Sequence, residues 1–393
     1  MKNAYILHST SLHGGATKSF LALLKEITGK GVEAVVVVPD KNGIYQELRN
    51  SNIDVLVLHF RPAIYPWLNT PSDIALFIPR LIGRIVLNYL ASKKLTSYLK
   101  NKNIDIIHTN VSVIDIGFRT AKKLNIPHVY HIREYANKDF KMYYFPCRKH
   151  FIHQLNTHNC YNICITEDIQ RHHQQHDNPR SIVIYNGICS HKQPGSYFLH
   201  GDYFLFAGRI EEAKGLEFLI RAYSDYSSTH PKLALPLYLV GEIIDNNLYE
   251  KLKRIISLYQ IKDKIHFWGA RNDIKILMEK ARAVIITSRF EAFGRCMPEA
   301  MFCKSLTIGR NTGGTLEQME NGKRINGEDI ALRFDTPAQL SQRLYEATIM
   351  NDDQYRHITE LAWNTVNKLY STDSYAKNVL LFYKKIKTIK HEI

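Results

Sequence analysis

The sequence predicts an α/β protein built from two open domains with parallel sheets. Short apolar runs alternate with helical patterns along most of the 393 residues, as happens when crossover helices join parallel strands. The runs fall into two series. Between them, residues 186–202 contain Gly187, Pro194, Gly195 and Gly201, a composition that suits an interdomain connection.

Strands of the first series are expected at 4–8, 33–39, 55–58, 104–108, 128–131, 161–166 and 182–185. The second series is expected at 203–207, 237–240, 265–268, 283–287 and 305–308. Each is a short run rich in β-branched or aromatic residues. Helical patterns follow the first run at 19–27 and the eighth at 216–226, and another closes the chain at 375–386. Pro298 is expected to open a helix with Glu299 in its first turn, because proline suits the first helical position. Open α/β domains of this kind bind ligands at the carboxyl ends of their strands, so two facing domains predict a site in a cleft.

Hydrophobic residues at 45% and charged residues at 23% mark a globular chain. Six dispersed cysteines and a lysine-containing start without an apolar leader predict a reducing, cytosolic setting. No run approaches about 18 consecutive apolar residues, the length expected of a membrane-spanning helix. The net charge of +15 calls for an anionic partner: nucleic acid, a membrane surface or a phosphorylated substrate. Residues 76–103 carry Arg80, Arg84, Lys93, Lys94, Lys100 and Lys102 without an acid. Leu81, Ile85, Leu87, Leu90, Leu95 and Leu99 run between them. That pattern describes a basic amphipathic helix on anionic lipid, or a core helix with a solvated basic face.

Five segments carry candidate chemistry. After the first strand, Gly14 and Gly15 allow backbone to approach an anion, although the spacing to Lys18 fits no Walker motif. Arg209 and Lys214, in GRIEEAKG after the eighth strand, can clamp a diphosphate or pair with Glu211 or Glu212. His108 and His131 end two strands, with His131 in HIRE the stronger candidate for a cleft. In EAFGRCMPEAM, Glu291 and Glu299 flank Gly294. The amides of Arg295, Cys296 and Met297 are expected near a helix start that favours phosphate. Glu299 is then either an acceptor for hydroxyls or merely a complement to its own helix dipole, and Glu291 either a ligand group or a solvated loop acid.

Cys147, His150, His153, His158, Cys160 and Cys164 do not match the usual zinc spacings, and 160–164 alternates like a strand. His172, His173 and His176 read as polar surface. No GxSxG or HExxH motif is present.

Taken in order, the glycine pair, HIRE, YNG at 185–187, GRIEEAKG and the paired glutamates resemble the GT4 family of retaining glycosyltransferases with the GT-B fold. Within it, the chain looks most like bacterial enzymes of surface polysaccharide assembly. The resemblance covers nearly the whole length and implies two Rossmann-like α/β/α domains. An acceptor-binding domain would span 1–187, completed by a helix near 375–393 that crosses back. A nucleotide-sugar domain would span 188–374.

It also implies site roles. Arg209, Lys214 and Gly208 would meet the donor diphosphate, with Gly14 and Gly15 beneath it. Glu299 would hold the ribose, and Glu291 and Gly294 the transferred sugar. The amides of Arg295, Cys296 and Met297 would face phosphate, and His131 would approach the sugar from the other domain. The sequence departs from the family at Ala292, Cys189 and 304–307, which bears on donor identity and domain closure.

The expected activity is hexosyl transfer from a nucleoside diphosphate sugar, UDP-sugar favoured, to a glycan or lipid-linked glycan. No metal and no nucleic acid are expected. The expected location is cytoplasmic, with peripheral contact to the inner face of the cell membrane. Alternatives are a GT-B epimerase or phosphorylase, or a non-catalytic protein with a basic binding surface.

Overall fold

The structure, a computed structural model, describes residues 1–12, 14–190 and 201–391. The expected linker therefore lies largely outside the described residues, as does His13. Among the described residues the chain divides into two compact units, Met1–Gly187 with Thr372–Ile393, and Ile188–Ser371.

The first unit carries a seven-stranded parallel sheet of β1 (Lys2–Ile6), β2 (Glu33–Val38), β3 (Asp54–Val57), β4 (Ile106–Thr109), β5 (His128–Ile132), β6 (Cys160–Cys164) and β7 (Ser181–Val183). Its strand order is β3-β2-β1-β4-β5-β6-β7. Ala4 of β1 pairs with Val35 on one side and Ile107 on the other. The order reverses at β1, so the carboxyl ends of β1 and β4 flank a crevice of the kind that receives ligands in open sheets.

The helix Gly15–Thr28 follows β1, and the helix Thr372–His391 returns to this unit and packs against it. Tyr375, Val379, Tyr383 and Ile386 of the returning helix are buried with Tyr5, Phe20 and Leu23. Together these side chains remove one face of the sheet from water.

The second unit carries a six-stranded parallel sheet of β8 (Phe204–Ala207), β9 (Leu237–Val240), β10 (Ile265–Gly269), β11 (Ala283–Ile286), β12 (Thr307–Arg310) and β13 (Leu332–Phe334), in the order β10-β9-β8-β11-β12-β13. β8 and β11 are neighbours at its reversal point. The helices Leu216–Thr229 and Pro337–Ile349 pack together over this sheet, burying Leu219, Tyr223, Tyr226, Leu340 and Leu344. β13 has no counterpart in the sequence reading. It is a three-residue edge strand containing Arg333, too short to show a period.

Two further expectations need correction. The helix expected to open at Pro298 runs Cys296–Phe302 with Arg295 as its cap, so proline is the third helical residue. His173 is buried rather than on the surface, with its Nε2 2.9 Å from the Glu134 carbonyl.

Candidate functional site

In the second unit, the loops after β8 and β11 bring Lys214 and Glu291 together, with Nζ 2.6 Å from Oε1. The same carboxylate oxygen accepts from Ser288 Oγ at 2.7 Å. Burial alone would favour the neutral lysine, but attraction and hydrogen bonding from Glu291 outweigh it and hold the Lys214 pKa above its ordinary value. A cation is thus maintained at the carboxyl end of the strands, where the sheet order reverses.

Local backbone geometry fixes this pair. Gly215 sits at φ 69°, and a Cβ there would lie 2.3 Å from the Thr287 carbonyl oxygen, so the turn after Lys214 requires glycine. Thr287 Oγ1 donates to the Lys214 carbonyl at 2.8 Å, and the Arg289 amide donates to the Ala213 carbonyl at 2.9 Å. Arg289 Nη1 also donates to Glu212 Oε1 at 2.9 Å, so backbone and side-chain links together tie the two loops. Arg209, in contrast, is half exposed and pairs with Glu211 at 2.9 Å, the surface ion pair that its sequence context allowed.

The helix Gly313–Asn326 supports the Glu291 loop from below. The Gly314 amide donates to the Glu291 carbonyl at 2.7 Å. Gln318 Nε2 donates to the Phe293 carbonyl at 2.5 Å and reaches the Gly294 carbonyl at 3.3 Å. A Cβ on Gly314 would fall 2.5 Å from the Phe293 carbonyl oxygen, so only glycine allows this approach. Thr315 Oγ1 is buried next to Gly294, without a hydrogen-bond partner among the described residues.

Arg295 Nε lies 3.1 Å from Glu299 Oε1. Glu299 is therefore held over the start of its own helix, where Cys296 and Met297 have amides without intrahelical acceptors. Ser288, Gly314, Thr315 and Gln318 did not stand out in the sequence. Their roles come from contacts across the fold, although the Gly313–Gly314 pair was visible.

In the first unit, Gly14 caps the helix Gly15–Thr28, and Asn110 Nδ2, just past β4, donates to the Ala16 carbonyl at 3.1 Å. The glycine turn and the end of β4 thus meet at the reversal point. His131 is fully buried, its Nδ1 3.2 Å from His108 Nε2, and His108 Nδ1 is 2.5 Å from Tyr383 Oη on the returning helix. Arg133 Nη2 reaches His131 Nδ1 at 3.2 Å and donates to Tyr375 Oη at 3.0 Å, and Arg133 Nε donates to the Asn110 carbonyl at 3.0 Å. Arg133 also donates to Asn186.

Burial, with Arg133 adding to it and with His128 acting on His108 and His108 on His131, pushes the pKa values of His108 and His131 far down, so both rings are neutral. The His131 Nε2 atom is buried without a hydrogen-bond partner among the described residues. Glu134 accepts from the Ser112 amide and from Ser112 Oγ, each at 2.7 Å, and burial pushes its pKa up to about 7.

The sequence profile described as Glycosyltransferase Family 4 matches residues 13–191, and that described as Glycosyl transferases group 1 matches residues 194–358. The two profiles account for one unit each and together for most of the chain. The chain belongs to the GT4-type glycosyltransferases with the GT-B fold.

Solved structures resemble this glycosyltransferase over nearly its whole length. HepE of Anabaena in complex with UDP superposes with a TM-score of 0.77 at 18% identity, over 98% of this chain and 100% of the other. A glycosyltransferase of Rickettsia africae gives 0.75 at 19% identity, over 98% of each chain. Among curated proteins, an uncharacterized glycosyltransferase of Methanocaldococcus jannaschii is 24% identical over 294 residues, 73% of this chain and 77% of that protein. Mannosylfructose-phosphate synthase of Agrobacterium fabrum is 27% identical over 156 residues, 37% of this chain and 34% of that protein. No helix among the described residues is long and apolar enough to cross a membrane.

Proposed function

We propose that this glycosyltransferase moves a hexosyl unit from a UDP-sugar to a glycan or lipid-linked glycan, with retention at the anomeric carbon, in the assembly of a bacterial surface polysaccharide. The observation that carries the reading is the Lys214–Glu291–Ser288 cluster at the reversal of the second sheet. A UDP complex among the structural neighbours favours UDP as the nucleotide. A Campylobacter jejuni relative, 22% identical over 51% of this chain and 52% of its own length, is named as an N-acetylgalactosaminyltransferase acting on a diphospho-undecaprenol sugar. It favours a lipid-linked acceptor at the cytoplasmic face of the cell membrane.

In this reading Lys214 and Arg209 lie against the donor diphosphate, with Gly208 leaving room for it. The amides of Cys296 and Met297 add hydrogen bonds to phosphate. Glu299, oriented by Arg295, accepts from the ribose hydroxyls, and Glu291 and the backbone at Gly294 meet the sugar. As the anomeric C–O bond breaks, its electron pair passes to the β-phosphate oxygen. The acceptor oxygen bonds to the same face of the sugar and its proton goes to that phosphate oxygen. Cations and amides already in place stabilise the charge as it develops, which is where such sites gain most of their rate. Arg209 and Lys214 supply the neutralising charge, so turnover is expected to persist in excess chelator.

A thermal-shift panel of UDP, GDP, ADP and their sugars tests the donor, because a ligand that binds the folded state raises the melting temperature. Stabilisation by UDP compounds is expected; a response confined to another base would reassign the donor. Proton NMR of the first product formed then reads the anomeric configuration, and inversion would overturn the proposed stereochemistry.

A further inference from the structure

The helix Phe77–Leu99 shows an arrangement that its sequence pattern did not reveal. Asn88, Ala91, Ser92 and Leu95 point into the first unit. Asn88 ties the helix to the Arg61 backbone through bonds of 2.9 and 2.8 Å. The opposite side is apolar and faces water. Ile78, Ile82, Ile85, Val86, Tyr89 and Leu90 are each between 44% and 59% exposed. Their spacing places them on one stripe about 18 Å long.

Trp67, Leu68 and Ile74, just before this helix, are exposed as well. Ten exposed large apolar side chains between Trp67 and Leu90 exceed the scattered exposure usual on a soluble surface. The surroundings are basic. Lys93 Nζ sits 4.6 Å from the centre of the Tyr89 ring, and Lys123 of the helix Ile116–Leu124 lies close enough to act on the Tyr89 hydroxyl. Between Ile74 and Ile104 the chain has no acidic residue.

We propose that this stripe docks the protein on an anionic lipid bilayer, with its aliphatic side chains at the acyl boundary, Trp67 and Tyr89 at headgroup level, and Lys93 and Lys123 against lipid phosphates. An apolar face rimmed by cations is the pattern of helices that lie in the bilayer interface, and aromatic rings concentrate at headgroup depth. A second copy of the chain is a poorer occupant. Two copies paired with these helices parallel would set Lys93 against Lys93 and Lys123 against Lys123, whereas lipid phosphates meet both cations.

The test uses the full chain and sedimentation with vesicles of phosphatidylcholine, with and without phosphatidylglycerol. Binding to the mixed vesicles is expected, with a blue shift of tryptophan emission that Trp67→Phe diminishes. Ile82→Asn, Ile85→Asn and Leu90→Asn combined should reduce the bound fraction about tenfold or more, and Lys93→Glu with Lys123→Glu should abolish the preference for anionic vesicles. Because the three apolar positions are exposed, the triple variant should keep the wild-type melting temperature and its response to UDP, which separates this proposal from the donor assignment. Wild-type protein that ignores both vesicle types, or a triple variant that binds undiminished, would overturn it. So would a wild-type dimer that the triple substitution splits while vesicle binding is absent, which would make the stripe a contact between copies.

Discussion

Lys214 Nζ and Glu291 Oε1 are 2.6 Å apart, so the cation proposed to face the leaving diphosphate is held in place by the carboxylate proposed to meet the sugar. The two residues lie in different loops, and neither is oriented by its own loop alone.

Lys214→Ala should therefore lower kcat by about a hundredfold or more while acceptor KM changes little, the signature of charge stabilisation needed in the transition state. Glu291→Gln should also lower kcat and raise donor KM, because the lysine loses both its anchor and the charge that offsets its burial. Steady-state kinetics in both substrates checks this. The folded pKa of Lys214 lies above its ordinary 10.5, so the stabilisation from the pair is complete below that pH and disappears only as pH rises through the folded value. The stability difference between wild type and Lys214→Ala should accordingly be flat through the neutral range.

Gly314→Ala should destabilise the second unit by about 1–3 kcal/mol, the usual cost of forcing an atom into packed surroundings. The added methyl meets the Phe293 backbone, so the damage should extend to the Glu291 loop. Denaturant unfolding measures the stability, and the UDP-induced thermal shift should diminish more than global stability alone explains.

Tyr383→Phe should cost about 1–3 kcal/mol, because it leaves the buried Nδ1 of His108 without its partner at 2.5 Å. Equilibrium unfolding against urea gives the value. Wild-type stability in the variant would mean that this bond contributes nothing to holding the returning helix.

Glu134 should make the first unit less stable as pH rises. Below its ordinary pKa of 4.5 both folded and unfolded states carry the proton. Between there and about 7 the unfolded chain has lost the proton while the buried group retains it, so folding is penalised progressively, and above that range the penalty is constant. The wild-type melting temperature should fall more steeply than that of Glu134→Gln between pH 5 and pH 8, and parallel curves would remove Glu134 as the cause.

Much of this architecture was legible because parallel strands buried on both faces are written as short β-branched runs. The run at 237–240 coincides with β9, and Lys214 and Glu291 were both identified from their loops. What escaped depends on contacts across the fold. The burial of His173 is invisible in RHHQQHD, since its partner is a backbone carbonyl 39 positions away. The helix containing Pro298 begins two residues early because proline at the first position is a preference, overridden here by the turn at Gly294. Residues 76–103 were recognised as a basic helix with apolar spacing, yet periodicity cannot tell an apolar side that packs inward from one left facing water. Leu95 is buried and Leu90 is not.

The returning helix Thr372–His391 makes the first unit discontinuous in sequence, and this orders events on the ribosome. Strands β1–β7 emerge first, but Tyr5 and Phe20 lack part of their cover until Tyr375, Val379 and Tyr383 have been translated. The second unit, encoded in one continuous stretch, can finish folding while the first is still waiting. A nascent chain stalled shortly after Ser371 should hold a protease-resistant Ile188–Ser371 unit and a cleavable amino-terminal half, and chaperone engagement should concentrate on that half.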